Sequence, residues 1–431
     1  MKKLSFAFLV SVALAPPLLM SKEASALPVF ARKYHTACST CHLAFPVRNS
    51  FGEAFRNNGY RFPGGNDEEM VKEEPINLGA EANKKAFPNA IWPSDIPNMP
   101  SLGFLAKTGL SSVKNPEHRK YNNLQVGQEV DVFYAGTITN QISYIGDFAI
   151  QPDSGNGSFS WGRLVLQWMF GNGINLNIGD VGFPERFTLI STKAGGDLNA
   201  YAVNLPNPNR GFEVRYAGDT GSCGGYSILG GIGWNATNPI DPATSEGTGS
   251  MGDTRYARAT YKIGGLGLKS GSGGTFGNQF IGLDNSITFG ANVFNSKEGG
   301  VVESEEGLSG LVKTAYSGDI MASYGNFRTY LQYARYNEVL DGNGDNTGKR
   351  TALSLEGDYW IYPWLFAVVR YEHLKDNLNG EYSKVIPGVG VLLRPNAKIG
   401  IEYVDVTKKN ITNNPAFNPL KAVNFYAQLG F

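Results

Sequence analysis

Cys38-Ser39-Thr40-Cys41-His42 puts two thiols and an imidazole into five consecutive residues. The spacing fits C-x-x-C-H, the signature of c-type haem attachment. Thiols three apart reach the two vinyl groups of one porphyrin as thioethers, and the imidazole next in line faces the iron. A redox dithiol would use C-x-x-C but has no need of the histidine. A structural zinc site wants a fourth ligand. The reading is therefore one covalently bound haem c on Cys38 and Cys41, with His42 as proximal ligand to its iron. The candidates for the second axial position are His35, His118, His373, Met70 and Met99. His35 lies close before Cys38, on the side of the ring that His42 takes. Met99 follows a Pro-rich stretch and can fold back over the ring, so it leads as distal ligand. An open sixth position is the alternative. Imidazole there would lower the potential relative to a thioether. The third cysteine, Cys223, sits in Gly221-Ser222-Cys223-Gly224-Gly225 and reads as a free thiol in a short turn.

Haem attachment of this kind belongs outside the cytoplasm, and the N-terminus agrees. Lys2 and Lys3 precede a mostly apolar run, Leu4 to Met20, and Ala24-Ser25-Ala26 is a small-residue cleavage site. Residues 1–26 therefore read as a signal peptide and 27–66 as a monohaem cytochrome c segment. Residues 67–98 carry an acidic cluster and then Pro75, Pro88, Pro93 and Pro97, which reads as an irregular connector. Lys+Arg and Asp+Glu are both 38, so the basic excess of a nucleic-acid binder is missing.

Residues 99–431 change to period two. In 286–293, Ile287, Phe289, Ala291 and Val293 alternate with Ser286, Thr288, Gly290 and Asn292. In 397–403, Ala397, Ile399, Ile401 and Tyr403 alternate with Lys398, Gly400 and Glu402. Alternation places one set on each face of a strand. About sixteen such segments follow one another, an even number of the kind that single-chain bacterial barrels use. Short turns at Gly171-Asn172-Gly173, Tyr324-Gly325, Tyr362-Pro363 and Pro395-Asn396 alternate with long polar stretches, which read as outside loops: 181–208, 237–252, 297–307, 338–349 and 408–421. The stretch 265–284 is long where a short turn is expected, which puts the strand count in question by a pair. The last strand places Val423, Phe425, Ala427, Leu429 and the terminal Phe431 on one face. The expected fold is all-β: a transmembrane antiparallel β-barrel of about sixteen strands, with the haem segment plugging its lumen. Arg328, Gln332, Glu356, Asp358, Arg370, Glu372, Lys398 and Glu402 fall on the face opposite the apolar one and would line that lumen.

Around the motif the chain reads Pro28-Val29-Phe30-Ala31-Arg32, then Phe45-Pro46, then Asn49-Ser50-Phe51-Gly52-Glu53-Ala54-Phe55-Arg56-Asn57-Asn58-Gly59-Tyr60. This run resembles the fused outer-membrane monohaem cytochrome–porin family of iron-oxidising bacteria. The close match spans about residues 28–60, and Lys33-Tyr34-His35 stands where Gln-Thr-Gly is expected. The resemblance implies a conduit: extracellular Fe(II) gives electrons to the haem, and a periplasmic carrier such as cytochrome c receives them. In that sense the chain could be called an Fe(II) oxidase. Two alternatives stand beside it: outward transfer to extracellular Fe(III) or another acceptor, and a diffusion porin whose haem segment is a plug or sensor. The expected location is the outer membrane, with lipid as the surrounding partner.

Overall fold

The structure is a computed structural model. It describes residues 29–64, 67–72, 76–77, 85–86, 88, 95–96 and the chain from 102 onward. From 102 it omits 115–119, 139–140, 152–157, 185–187, 191–202, 204, 207–209, 234–251, 275–276, 303–309, 341–346, 412–420 and 431. The signal peptide, the loop 341–346 and Phe431 therefore lie outside the described residues.

The N-terminal segment is built from helix α1 (Val29–Lys33), a 3-10 turn at Cys38–Thr40, strands β1 (His42–Ala44) and β2 (Val47–Arg48), and helix α2 (Ser50–Asn57). Helix α3 (Asp67–Met70) and a two-residue ladder of β3 (Ile76–Asn77) with β4 (Asp95–Ile96) follow. A segment this small cannot bury a large core of its own. It makes an aromatic one instead: Phe30 meets Phe55 edge-on at 5.0 Å and stacks on Tyr60 at 5.5 Å. Its packing runs on to Lys72, because Asp67 accepts from Tyr34 Oη at 2.6 Å and Lys33 Nζ at 3.1 Å, and Lys72 N donates to Lys33 O.

Sixteen antiparallel strands then close into a barrel in chain order. They begin with β5 (Leu102–Lys114), β6 (Lys120–Thr137), β7 (Ile142–Gln151), β8 (Ser158–Gly171) and β9 (Ile174–Gly179). Next come β10 (Gly211–Asp219), β11 (Gly225–Gly233), β12 (Thr254–Gly264), β13 (Ser286–Val302), β14 (Gly310–Tyr324) and β15 (Phe327–Leu340). The last are β16 (Thr347–Tyr362), β17 (Leu365–Asp376), β18 (Gly380–Arg394), β19 (Ala397–Ile411) and β20 (Lys421–Gly430). Closure comes from β20 against β5, from Lys421↔Lys114 to Gly430↔Leu105, so no ladder edge is left open. The stretch 265–284 is a connector, and the count of sixteen stands.

The faces are the reverse of a soluble barrel's. On β17, Phe366, Val368, Arg370, Glu372 and Leu374 are buried while Val369 between them is 54 % exposed and Arg370 is 0 %. Exposed Tyr362 and Trp364 stack at 5.5 Å on one rim, beside Tyr324. Apolar and aromatic groups outward with ions inward suit a wall whose solvent is lipid. No helix among the described residues is long and apolar enough to cross a membrane.

One connection departs from the sequence reading. The stretch 181–208 is expected as an outside loop, but among its described residues Val181, Phe183, Thr188, Leu189, Ile190 and Val203 are buried inside the wall. Val181, Phe183 and Val203 pack with inward-facing Leu229, Tyr256, Phe294 and Tyr336. Leu189 and Ile190 reach Trp360 and Phe366, beside the short turn that joins β16 to β17. There they meet Leu43, Ala44 and Val47 of the N-terminal segment and Ile281 and Leu283 of the 265–284 connector. The physical reason is burial: apolar side chains with no place on a polar lumen wall find partners in one another.

Candidate haem-attachment site

The 3-10 turn carrying the motif is closed by Cys41 N donating to Cys38 O at 3.2 Å. Asn49 holds this turn to the helix behind it. Its Oδ1 accepts from Gly52 N at 2.9 Å, capping α2, and its Nδ2 donates to Ser39 O at 3.1 Å and Thr40 O at 3.0 Å. Its backbone N donates to Cys41 O at 2.9 Å. Gly52 lets the helix lie against that carbonyl: a Cβ there would stand 2.2 Å from Cys41 O.

His42 follows at the start of β1. Its Nδ1 is 3.1 Å from Pro46 O, and its ring lies 4.9 Å from that of Phe45. With Nδ1 engaged by a carbonyl, Nε2 is the nitrogen suited to a metal. Burial first, and Arg48 second, push the imidazole down to about 4, so it is neutral near pH 7 with a lone pair to give. Burial raises the Cys38 thiol and, with Cys38 as neighbour, pushes Cys41 up to about 12. Cys38, Cys41 and Cys223 form no disulfide. The residue set fits a c-type haem: two uncharged thiols, a neutral imidazole held by its far nitrogen, and aromatic neighbours.

The distal ligand is not settled by the described residues. Met99 and His118 lie outside them. Met70 stands exposed on α3, and His35 takes a left-handed backbone at φ 48°. His373 lies on the outward face of β17 with Nδ1 2.9 Å from Ser383 Oγ, in keeping with a residue of the barrel rim.

The segment is tied to one end of the barrel, the end of the short turns. Arg32 donates to Leu102 O at 2.8 Å, Ser143 Oγ to Gly59 O at 2.7 Å, and Asn175 Nδ2 to Asn57 O at 2.6 Å. Asn57 and Asn58 donate to the carbonyls of Leu268 and Lys269 on the connector, at 2.9 and 2.6 Å. Lys262 Nζ bonds Asp284 Oδ2 at 2.8 Å and Ser50 Oγ at 3.1 Å, and Ser50 also donates to Asp284. Ser143, Asn175 and Lys262 are inward-facing wall residues, each buried.

The polar residues expected to line the lumen do so, and they hold the inward loop. Arg328 bonds Asp358 at 2.6 Å, and Arg370 bonds Glu372 at 2.8 Å. Thr188 of the loop donates to Glu356 at 2.6 Å and accepts from Arg370 at 2.8 Å, and Lys398 donates to Leu189 O at 2.9 Å. Sequence reasoning missed Asn49 and Gly52 as parts of the site. Asn49 had a readable signal, a capping residue before a run of helix formers. Gly52 had none, because its need arises from a neighbour eleven residues back.

No family model matches the chain, and no curated protein matches it. Among solved structures, a loop-deleted form of the outer membrane protein OmpT of Vibrio cholerae is 12% identical, covering 77% of this chain and 99% of that one, with TM-score 0.45. An anion-selective porin from Comamonas acidovorans is 10% identical over 77% of this chain and 98% of that one, with TM-score 0.48. The outer membrane channel DcaP of Acinetobacter baumannii is 12% identical over 77% and 96%, with TM-score 0.47.

Proposed function

We propose that this chain conducts electrons across the outer membrane, taking them from extracellular Fe(II) and passing them to a periplasmic carrier such as cytochrome c. The observation that carries the reading is the C-x-x-C-H turn with its His42 ring oriented by Pro46. When bound there, one haem c supplies a one-electron Fe(III)/Fe(II) couple. Cys38 and Cys41 anchor it, and His42 offers Nε2 to the iron. The apolar band of an outer-membrane barrel is about 25 Å tall and insulating. A redox centre held inside the wall shortens that gap, and the segment's bonds to Ser143, Asn175 and Lys262 support its role as the plug of the short-turn end.

Two observations favour this over its rivals. A dithiol exchanger has no use for an imidazole directly after its second cysteine, and here His42 follows Cys41 with Nδ1 held by Pro46 O. A diffusion porin leaves its lumen to solutes, and here apolar side chains from the segment, the described part of the 181–208 loop and the connector take up part of it. The test is stopped-flow mixing of oxidised, purified protein with Fe(II). The expected result is conversion of the haem bands to the reduced spectrum; bands that never change would overturn the iron role.

A further inference from the structure

Between α2 and the barrel wall lies a cavity of about 60 Å³, counted at the centres of water-sized molecules. One water needs roughly 10–15 Å³ by that measure, so there is room for a few waters or a carboxylate, but not for a porphyrin. Its lining includes Arg48 and Arg56 from the segment and Arg215, Arg258 and Lys262 from the wall. Two of these are well paired. Arg258 makes a two-point contact with Asp319 at 2.6 and 2.9 Å, and Lys262 bonds Asp284. The other three share two carboxylates. Arg48 and Arg56 share one carboxylate, Glu53, at 2.9 and 3.2 Å. Arg215 bonds Glu213 at 2.8 Å, but Glu213 also accepts from Asn177 and Tyr256. The Nε atoms of both Arg56 and Arg215 are buried without a hydrogen-bond partner. Burial pushes the Arg56 guanidinium down to about 9, and the nearby Arg215 and Arg48 add to that.

Three guanidinium groups stand against two carboxylates, Glu53 and Glu213, and the buried Nε of Arg56 and of Arg215 have no partner, so the cluster is short of one anion. The site also adjoins the motif. Arg48 pairs with His42 across the β1–β2 ladder, and Gly52 sets α2 against the Cys41 carbonyl.

We propose that Arg56 and Arg215, with Arg48, form a carboxylate-binding site for a propionate of the haem that Cys38 and Cys41 anchor. The proposal rests on the haem reading above. Arginine is the residue suited to it, since its planar fork meets a carboxylate at two points. The pairing joins the segment to the wall through the cofactor, because Arg56 belongs to α2 and Arg215 to β10. It also sets the potential: cations fixed beside the ring favour the reduced iron, which carries one positive charge less.

The experiment uses the full chain from outer membranes in detergent. Pyridine haemochrome first establishes covalent haem in the wild type and in R56Q, R215Q and R56K. The readouts are the propionate bending band in resonance Raman spectra and the midpoint potential from pH 5 to 9. In R56Q and R215Q the band moves, and the potential falls by about a tenfold change in the reduction equilibrium, 59 mV for one electron. R56K keeps the charge, so the potential stays near wild type while the band still moves. Haem at wild-type stoichiometry with band and potential unchanged in both glutamine variants would overturn the proposal and leave the haem reading standing. A wild-type potential that responds to added acetate or phosphate, with that response lost in R56Q and the band unmoved, would assign the cavity to a free anion and overturn it too. Absence of haem from the wild type would remove the reading beneath it.

Discussion

Asn49 spends every polar atom of its side chain on joining two parts of the site. Its oxygen caps α2, and its nitrogen holds two carbonyls of the haem turn. Asn49→Ala removes the cap and the tie to the carbonyls of exposed Ser39 and half-buried Thr40, which costs about 1–2 kcal/mol. Asn49→Asp separates the two roles, since a carboxylate keeps the cap and cannot donate. Both variants should speed amide hydrogen exchange in α2, alanine more than aspartate, while the barrel keeps its heat-modifiable mobility on gels. Equal exchange in all three proteins would refute the linking role. Gly52 makes a separate prediction. An added methyl would sit 2.2 Å from the Cys41 carbonyl, so Gly52→Ala forces helix and turn apart at a cost of about 1–3 kcal/mol. Its haem yield, measured by haemochrome per chain, should fall below wild type; an undiminished yield would mean that the turn tolerates the shift.

The elements divide by how local their cause is. All sixteen strands were legible, because a wall between lipid and a polar interior imposes period two on every one of them. Ile287, Phe289 and Val293 are exposed while Thr288 and Asn292 between them are buried, as the alternation in 286–293 demands. The Cys38–His42 turn was legible as a motif because its residues are adjacent. The inward loop was not. Val181, Phe183, Leu189 and Ile190 form short apolar runs without a period, and only their distant partners decide where they go. The arginine cavity was illegible for the same reason, since Arg56 and Arg215 lie far apart in the chain and meet only when the segment docks. The loop's anchor can be tested alone. Thr188→Val removes the hydroxyl that Glu356 and Arg370 both use, in a site with no access to water. A loss of about 1.4 kcal/mol is tenfold in the released population. Limited proteolysis between 181 and 190 should therefore run roughly tenfold faster than in wild type, with the strands intact; an unchanged rate would show that packing alone holds the loop.

At the scale of the whole molecule, the barrel is a cylinder that carries two apolar clusters inside its wall. Sixteen strands leave an aqueous channel when nothing fills them. Here the loop that leaves β9 places Val181, Phe183 and Val203 in one cluster, and Leu189 and Ile190 in a second with the connector and the N-terminal segment. Tyr336 and Val339 stand toward the long-loop end of β15, and Trp360 and Phe366 beside the short turn after β16, so the two clusters lie at different heights and the tighter one left controls the current. That makes single and double removals behave differently. Full-length protein in planar bilayers should show steps far below those of an open barrel of this size. Deleting 29–72 alone should change little, because Leu189 and Ile190 stay pinned through Thr188 and Lys398. Replacing 182–208 by a short linker should also change little, because the segment keeps its bonds to Ser143, Asn175 and Lys262. The two changes together should raise the step at least tenfold, the signature of obstructions in series. A full-length step already equal to that of the double variant would mean that solutes pass around the insertions. The barrel would then be a pore with a haem beside it.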